Sequence, residues 1–155
     1  MSIGRTREAA TRFRRAVVLA ALLLAGPAHA GGVVVAHAWI GILPGDFPAS
    51  AYCVVANDSG RPQGLTAVHA PVFRAAMLHR SVTRDGLEKT VPVARVVIPA
   101  GWRFRFAPGG YHIMLMPPHT PLRPDTRTRL TFRFRDGSRT SASFLVKGAG
   151  TLSGD

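Results

Sequence analysis

Apolar and polar residues alternate singly along several short stretches of this chain. In Leu130-Thr131-Phe132-Arg133-Phe134-Arg135 the switch comes at every step, which is the period of a β-strand with one wet face. Trp102-Arg103-Phe104-Arg105-Phe106 repeats it. In both segments the aromatics fall on the face opposite the arginines, so they are expected in a core and not on a stacking platform for nucleic acid. Further strand-like runs are Val33–Trp39, Ala51–Ala56, Gly64–His69, Arg74–Val82, Leu87–Val93, His112–Met116, Thr128–Phe134 and Thr140–Val146. Gly, Pro, Asn and Asp clusters punctuate them, as at Asn57-Asp58-Ser59-Gly60 and Pro99-Ala100-Gly101. Asp85-Gly86 and Asp136-Gly137 each sit between strand-like arms, where Gly supplies the positive φ that a tight hairpin needs. Nothing after residue 31 has the period of an amphipathic helix. The pattern predicts an all-β domain, an antiparallel sandwich or barrel.

The first thirty residues follow a different pattern. Residues 1–15 are basic, Ala16 to Ala25 is an unbroken apolar run, and Ala28-His29-Ala30 is a small-x-small site. That is the layout of a secretory signal peptide, and the apolar run is about half what a spanning helix needs. The expected organisation is a signal peptide over 1–30, cleaved on export to the periplasm, and one domain over 31–155. Arg14-Arg15 lacks the rest of a twin-arginine signal, which favours the general secretory route. The leader holds five of the 20 Lys and Arg and one of the 8 acids, so the net charge of +12 falls to +8 after cleavage. Arginine is spread along the whole mature chain without a run of five or six like charges. Nucleic acid is not an expected partner. The spread of charge reads as a solvated basic surface or, as a functional alternative, as attraction to acidic membrane headgroups or to an acidic protein patch. Cys53 is the only cysteine and lies in the strand-like Tyr52-Cys53-Val54-Val55-Ala56, so it reads as a small buried hydrophobe and excludes an intrachain disulfide.

Residues 109–116, Gly-Gly-Tyr-His-Ile-Met-Leu-Met, change the picture. In a strand His112, Met114 and Met116 share one face while Ile113 and Leu115 take the other. Met77-Leu78-His79 likewise puts a thioether and an imidazole on one face. These are soft, uncharged donors, suited to Cu(I) and poorly suited to Mg²⁺, Ca²⁺ or Mn²⁺. Taken alone, each stretch is weak evidence, because a Met beside a lone His is more often a piece of core with a structural histidine than a ligand set.

Together, His79, the turn at Ile98-Pro99-Ala100-Gly101 and Pro108-Gly109-Gly110-Tyr111-His112-Ile113-Met114-Leu115-Met116 resemble the periplasmic copper chaperones of the PCuAC type. Their signature is His-x10-Met-x21-His-x-Met. Laid from His79, it falls on position 90, then on His112 and Met114, so three of its four positions match. The resemblance runs from Ala36-His37-Ala38-Trp39 to the C-terminal hairpin. It implies a cupredoxin-like or immunoglobulin-like antiparallel β-sandwich of Greek-key type, a monomer that binds Cu(I). It also implies delivery toward the copper centre of cytochrome c oxidase, to an oxidase subunit or a thiol-based assembly factor. Position 90 departs from the signature: it is Thr90, a hard and weak donor. Met77 is the expected substitute because it shares a face with His79. Met116 is the weaker one, because about four residues, roughly 13 Å, separate it from His112. His37, near the new N-terminus, is a further candidate ligand, for Cu(II), or else an exposed strand histidine.

Other chemistries fare worse. A blue-copper site needs a Cys thiolate near its second His and axial Met, and Cys53 lies about sixty residues before His112. No Ser-His-Asp arrangement or phosphate-binding Gly loop is present, so no enzyme is expected. The alternative to a copper chaperone is an exported β-sandwich that has lost effective copper binding and acts through a protein or envelope partner.

Overall fold

The computed structural model describes residues 31–148; the leader over 1–30 lies outside them. The ten strands are β1 (Val33–Gly41), β2 (Ala49–Asn57), β3 (Gln63–His69), β4 (Ala76–Arg84) and β5 (Leu87–Pro92), then β6 (Val96–Ile98), β7 (Arg103–Phe106), β8 (Tyr111–Leu115), β9 (Arg127–Phe134) and β10 (Arg139–Lys147). They hydrogen-bond in the order β5-β4-β8-β2-β1-β10-β9-β3-β6, with β7 also on β2. The ladder folds back on itself so that β3 meets β4, and the apolar face of every long strand turns into one core. Ile40, Leu65, Leu78, Ile98, Phe106, Ile113, Leu115, Leu130, Phe132 and Phe144 fill it.

All the ladders are antiparallel except one. β1 runs parallel to β10 over Trp39–Gly41 and Leu145–Lys147, and this contact joins the two halves of the sandwich. Just before it β1 carries a bulge between Ala36 and Trp39, and His37 takes φ 51° there. A bulge adds a residue and bends the strand, here where β1 passes from one half to the other.

Both Asp-Gly hairpins form. Asp85 and Gly86 have φ of 52° and 76°, the two positive values of a type I′ turn. In the second turn only Gly137 is positive, at 86°, and Asp136 Oδ1 accepts the Ser138 N–H at 3.0 Å. β6 is absent from the sequence-based set because three residues are too short to show a period. Trp102 is 65% exposed, against the expectation that all aromatics of its alternating stretch are internal. It precedes β7, in the turn where its N–H reaches the Pro99 carbonyl at 3.2 Å.

Buried Asn57 closes one end of the sandwich. Its amide donates to the carbonyls of Arg61 and Ile98, each at 2.9 Å, and of Pro99 at 3.1 Å. Its Oδ1 accepts the Ser59 N–H at 3.1 Å. One side chain thus binds the end of β2 to the loops after it and after β6, with its donors and acceptor all used.

Candidate metal centre

β7 and β8 lie in tandem along β2. Phe106 faces Cys53 and Ile113 faces Ala51, so the chain between them is longer than the one residue it opposes. The surplus, Ala107 to Gly110, loops out. The Ala107 N–H bonds to the Tyr111 carbonyl at 2.8 Å and the Gly110 N–H to the Ala107 carbonyl at 3.1 Å. The loop presents the Gly110 carbonyl to the Ser81 N–H of β4 at 3.0 Å and to His112 Nδ1 at 3.1 Å.

β8 then pairs with β4 in a register that sets His79 opposite His112 and Met77 opposite Met114. Directly opposed residues share a face, so the four side chains form a two-by-two block on the face turned from the core. Leu78 and Ile113, their chain neighbours, point inward. The two imidazoles stack with centroids 6.0 Å apart and planes 18° from parallel. Although they face away from the core, His79 and His112 are only 8% and 7% exposed, while Met77 is 39% exposed. The block is therefore sunk at its histidine end and open at Met77.

A carbonyl can only accept, so the Gly110 contact fixes the proton of neutral His112 on Nδ1 and leaves the Nε2 lone pair free. His79 makes a longer contact of the same kind, Nδ1 to the Met77 carbonyl at 3.5 Å. Metal-binding histidines are commonly oriented this way, with the second nitrogen held by a carbonyl. The block thus offers two imidazole lone pairs and two thioethers, neutral and soft. Among the described residues no group of three or more His, Cys, Asp or Glu is arranged to hold a metal.

Thr90 is on β5, opposite Ser81, exposed, and on the side of the His pair away from Met77 and Met114. It is a diagonal neighbour of His79, about 7–8 Å away by sheet geometry. Met116 lies one residue past the end of β8, its N–H bonded to the Ala75 carbonyl at 2.9 Å. It stands outside the block, one step beyond Met114, and the strand expected to include it stops at Leu115 before Pro117-Pro118. His37 is exposed at the β1 bulge, His69 faces Thr131 across β3 and β9, and His119 sits in the Pro-rich loop. Cys53 is buried opposite Phe106, and burial pushes its thiol pKa far up. Sequence reasoning did not find the direct Met77–Met114 pairing or the Gly110 carbonyl behind His112. The only signal for the latter was the Pro108-Gly109-Gly110 turn next to the histidine.

The fold is that of the PCuAC domains. The apo PCuAC domain from PmoF1 superposes with a TM-score of 0.64 at 23% identity, over 77% of this chain and 97% of that one. The copper-bound PCuAC domain from PmoF2 gives 0.63 at 22%, over 77% and 96%. The solution structure of the Cu(I) form of DR1885 from Deinococcus radiodurans gives 0.54 at 26%, over 80% of this chain and 79% of its own. A relative from Leifsonia xyli subsp. xyli, which carries a lipoprotein designation, is 33% identical over 153 residues, 88% of this chain and 91% of its own length. The family model described as "Putative lipoprotein LpqE-like" matches residues 33–146. With a match over most of its length and a relative this similar, the chain belongs to the LpqE-like family.

Proposed function

We propose that this protein is an exported copper chaperone that carries Cu(I) on His79, His112, Met77 and Met114. The observation behind this reading is the two-by-two block itself. Register alone brings two neutral imidazoles and two thioethers together on one face, with Nδ1 of His112 tied back to a carbonyl. The copper carried by two similar solved structures, the PmoF2 domain and DR1885, supports it, as does the family's lipoprotein designation for an envelope location. Met77 takes the place that the PCuAC signature gives to position 90. A single domain over 31–155, freed from its leader in the periplasm, would hand the ion on toward cytochrome c oxidase through a subunit or a thiol-based factor. Release follows from the ligands: with no thiolate in the set, a thiolate-bearing acceptor displaces neutral donors stepwise, starting at exposed Met77.

The test is an anaerobic Cu(I) competition titration of the chain from residue 31, with His112→Ala as control. One equivalent bound by the parent and lost in the variant supports the chaperone. Failure to compete with a weak chelator would replace it by the second reading, which Thr90 favours: a sandwich that has lost effective copper binding and works through a protein or envelope partner.

A further inference from the structure

The outer face of the β9·β10 hairpin has a different composition from the copper face and is independent of it. Arg127, Arg129 and Arg133 alternate along β9 and are all exposed, and Arg135 follows on the same side. Arg139 of β10 stands directly opposite Arg133. The intervening positions are mostly hydroxyls: Thr131 and Ser141 bond each other at 2.8 Å, Ser143 faces Arg129, and only half-buried Leu145, opposite Arg127, is apolar. Among the described residues the one ion pair is Arg61 with Asp136, so none of these five guanidinium groups has a carboxylate partner.

This is not how a merely solvated surface is composed. Such a surface intersperses both signs, and like charges directly opposed across a ladder destabilise it. A protein-binding interface, in turn, is anchored by buried aromatic or aliphatic side chains. The large exposed apolar residues are Val34, Leu43, Phe47, Met77, Leu87, Val97 and Trp102, and none belongs to β9 or β10. A flat array of cations and hydroxyls, with half-buried Leu145 at one end and no large exposed apolar side chain to anchor a protein, matches a surface of many mobile anions. We propose that the β9·β10 face docks the protein on a bilayer of anionic phospholipid, with headgroup phosphates gathered under Arg127, Arg129, Arg133, Arg135 and Arg139. The His-Met block lies on the other half of the sandwich, so docking by this face leaves Met77 clear of the bilayer.

The test is co-sedimentation of the chain from residue 31 with vesicles of phosphatidylglycerol and phosphatidylcholine, and with pure phosphatidylcholine. The expected result is binding to the anionic vesicles alone, lost at 0.5 M salt. Near an anionic surface each arginine is worth about five-fold in partitioning, so Arg129→Ser/Arg133→Ser should weaken binding by about 25-fold. Arg84→Ser/Arg105→Ser, which removes equal charge elsewhere, should weaken it far less. The melting temperature of Arg133→Ser should equal or exceed the parent's, since Arg139 loses an opposed like charge; this separates loss of docking from loss of fold. Equal losses in the two double variants would overturn the proposal in favour of net charge. So would binding of soluble polyglutamate without pelleting by vesicles, which would identify an acidic macromolecule as the partner.

Discussion

The β4·β8 and β9·β10 ladders obey one rule on their inner faces and opposite rules on their outer ones. Inside, Leu78, Ile113 and Leu115 in the first and Leu130, Phe132 and Phe144 in the second contribute to a single core. Outside, β9·β10 carries exposed arginine and serine with partly exposed Thr131 and Leu145. β4·β8 carries histidine and methionine, and sinks the histidines almost as deeply as core residues. A fold of this kind needs only that the outer face be soluble, which Arg and Thr achieve. Burying two imidazoles there requires a partner for Nδ1, which the Ala107–Gly110 loop supplies to His112. Structure built around a residue that the fold does not need is a sign of function.

If the inner faces hold the fold and the outer faces the work, substitutions should separate the two. The largest effect is expected from Phe132→Ala, which empties a fully buried position under the arginine face. It should cost about 3–5 kcal/mol of stability, read by denaturant unfolding, with Cu(I) affinity unchanged while the protein stays folded. His112→Ala should do the reverse: a loss of Cu(I) affinity beyond the roughly 10–100-fold that follows removal of a mere supporting partner, with the midpoint of unfolding little changed. A large stability loss in His112→Ala would show that the imidazole pair is structural and that the contrast between the two faces is false.

Smaller effects sharpen the contrast within the His-Met face. Met77→Leu preserves volume and removes one soft donor, so Cu(I) affinity should fall about tenfold, less than for a histidine that is oriented by its own carbonyl. Thr90→Met in the parent should change affinity by less than about threefold, because Met77 already stands beside Met114. In the Met77→Leu background it should restore most of the loss, from the other side of His79. A strong gain from Thr90→Met in the parent would mean that Met77 is a bystander.

Inner-face chemistry was legible because it is periodic. Nine of the ten strands were placed within a few residues, and the Asp-Gly turns carried the hairpin registers with them. Failures lie where no local period exists. Three-residue β6, exposed Trp102 and the end of β8 before Met116 are each set by turns. The site was half legible: alternation put Met77 with His79 and His112 with Met114, each within its own strand. That the two pairs coincide is a register between strands not adjacent in sequence, and only tertiary structure decides it. The parallel β1·β10 contact escaped for the same reason.

The smallest expected effect concerns the turn at the end of the arginine face. Asp136 there accepts from the Ser138 hydroxyl at 2.6 Å and the Ser138 N–H at 3.0 Å on Oδ1, and from Arg61 at 2.8 Å and Gln63 at 3.1 Å on Oδ2. These bonds, the Ser138 pair foremost, hold its carboxyl well below the usual range. A carboxylate with a lowered folded pKa contributes stability that is complete above the unfolded value, about 3.9 for Asp, and that drains away as pH falls through the folded one. Asp136→Asn keeps an oxygen for the Ser138 N–H but has no charge to lose. The parent should therefore melt slightly higher than the variant at pH 6, and the gap should narrow by pH 3, where Asp136 of the unfolded chain takes up a proton while the folded carboxylate stays ionised. The carboxylate is exposed and its ion pair screened, so the gap should be small at every pH. If instead it widened toward acid, the turn would owe its stability to a protonated Asp136, and the Arg61 and Gln63 contacts would not be the ones that matter.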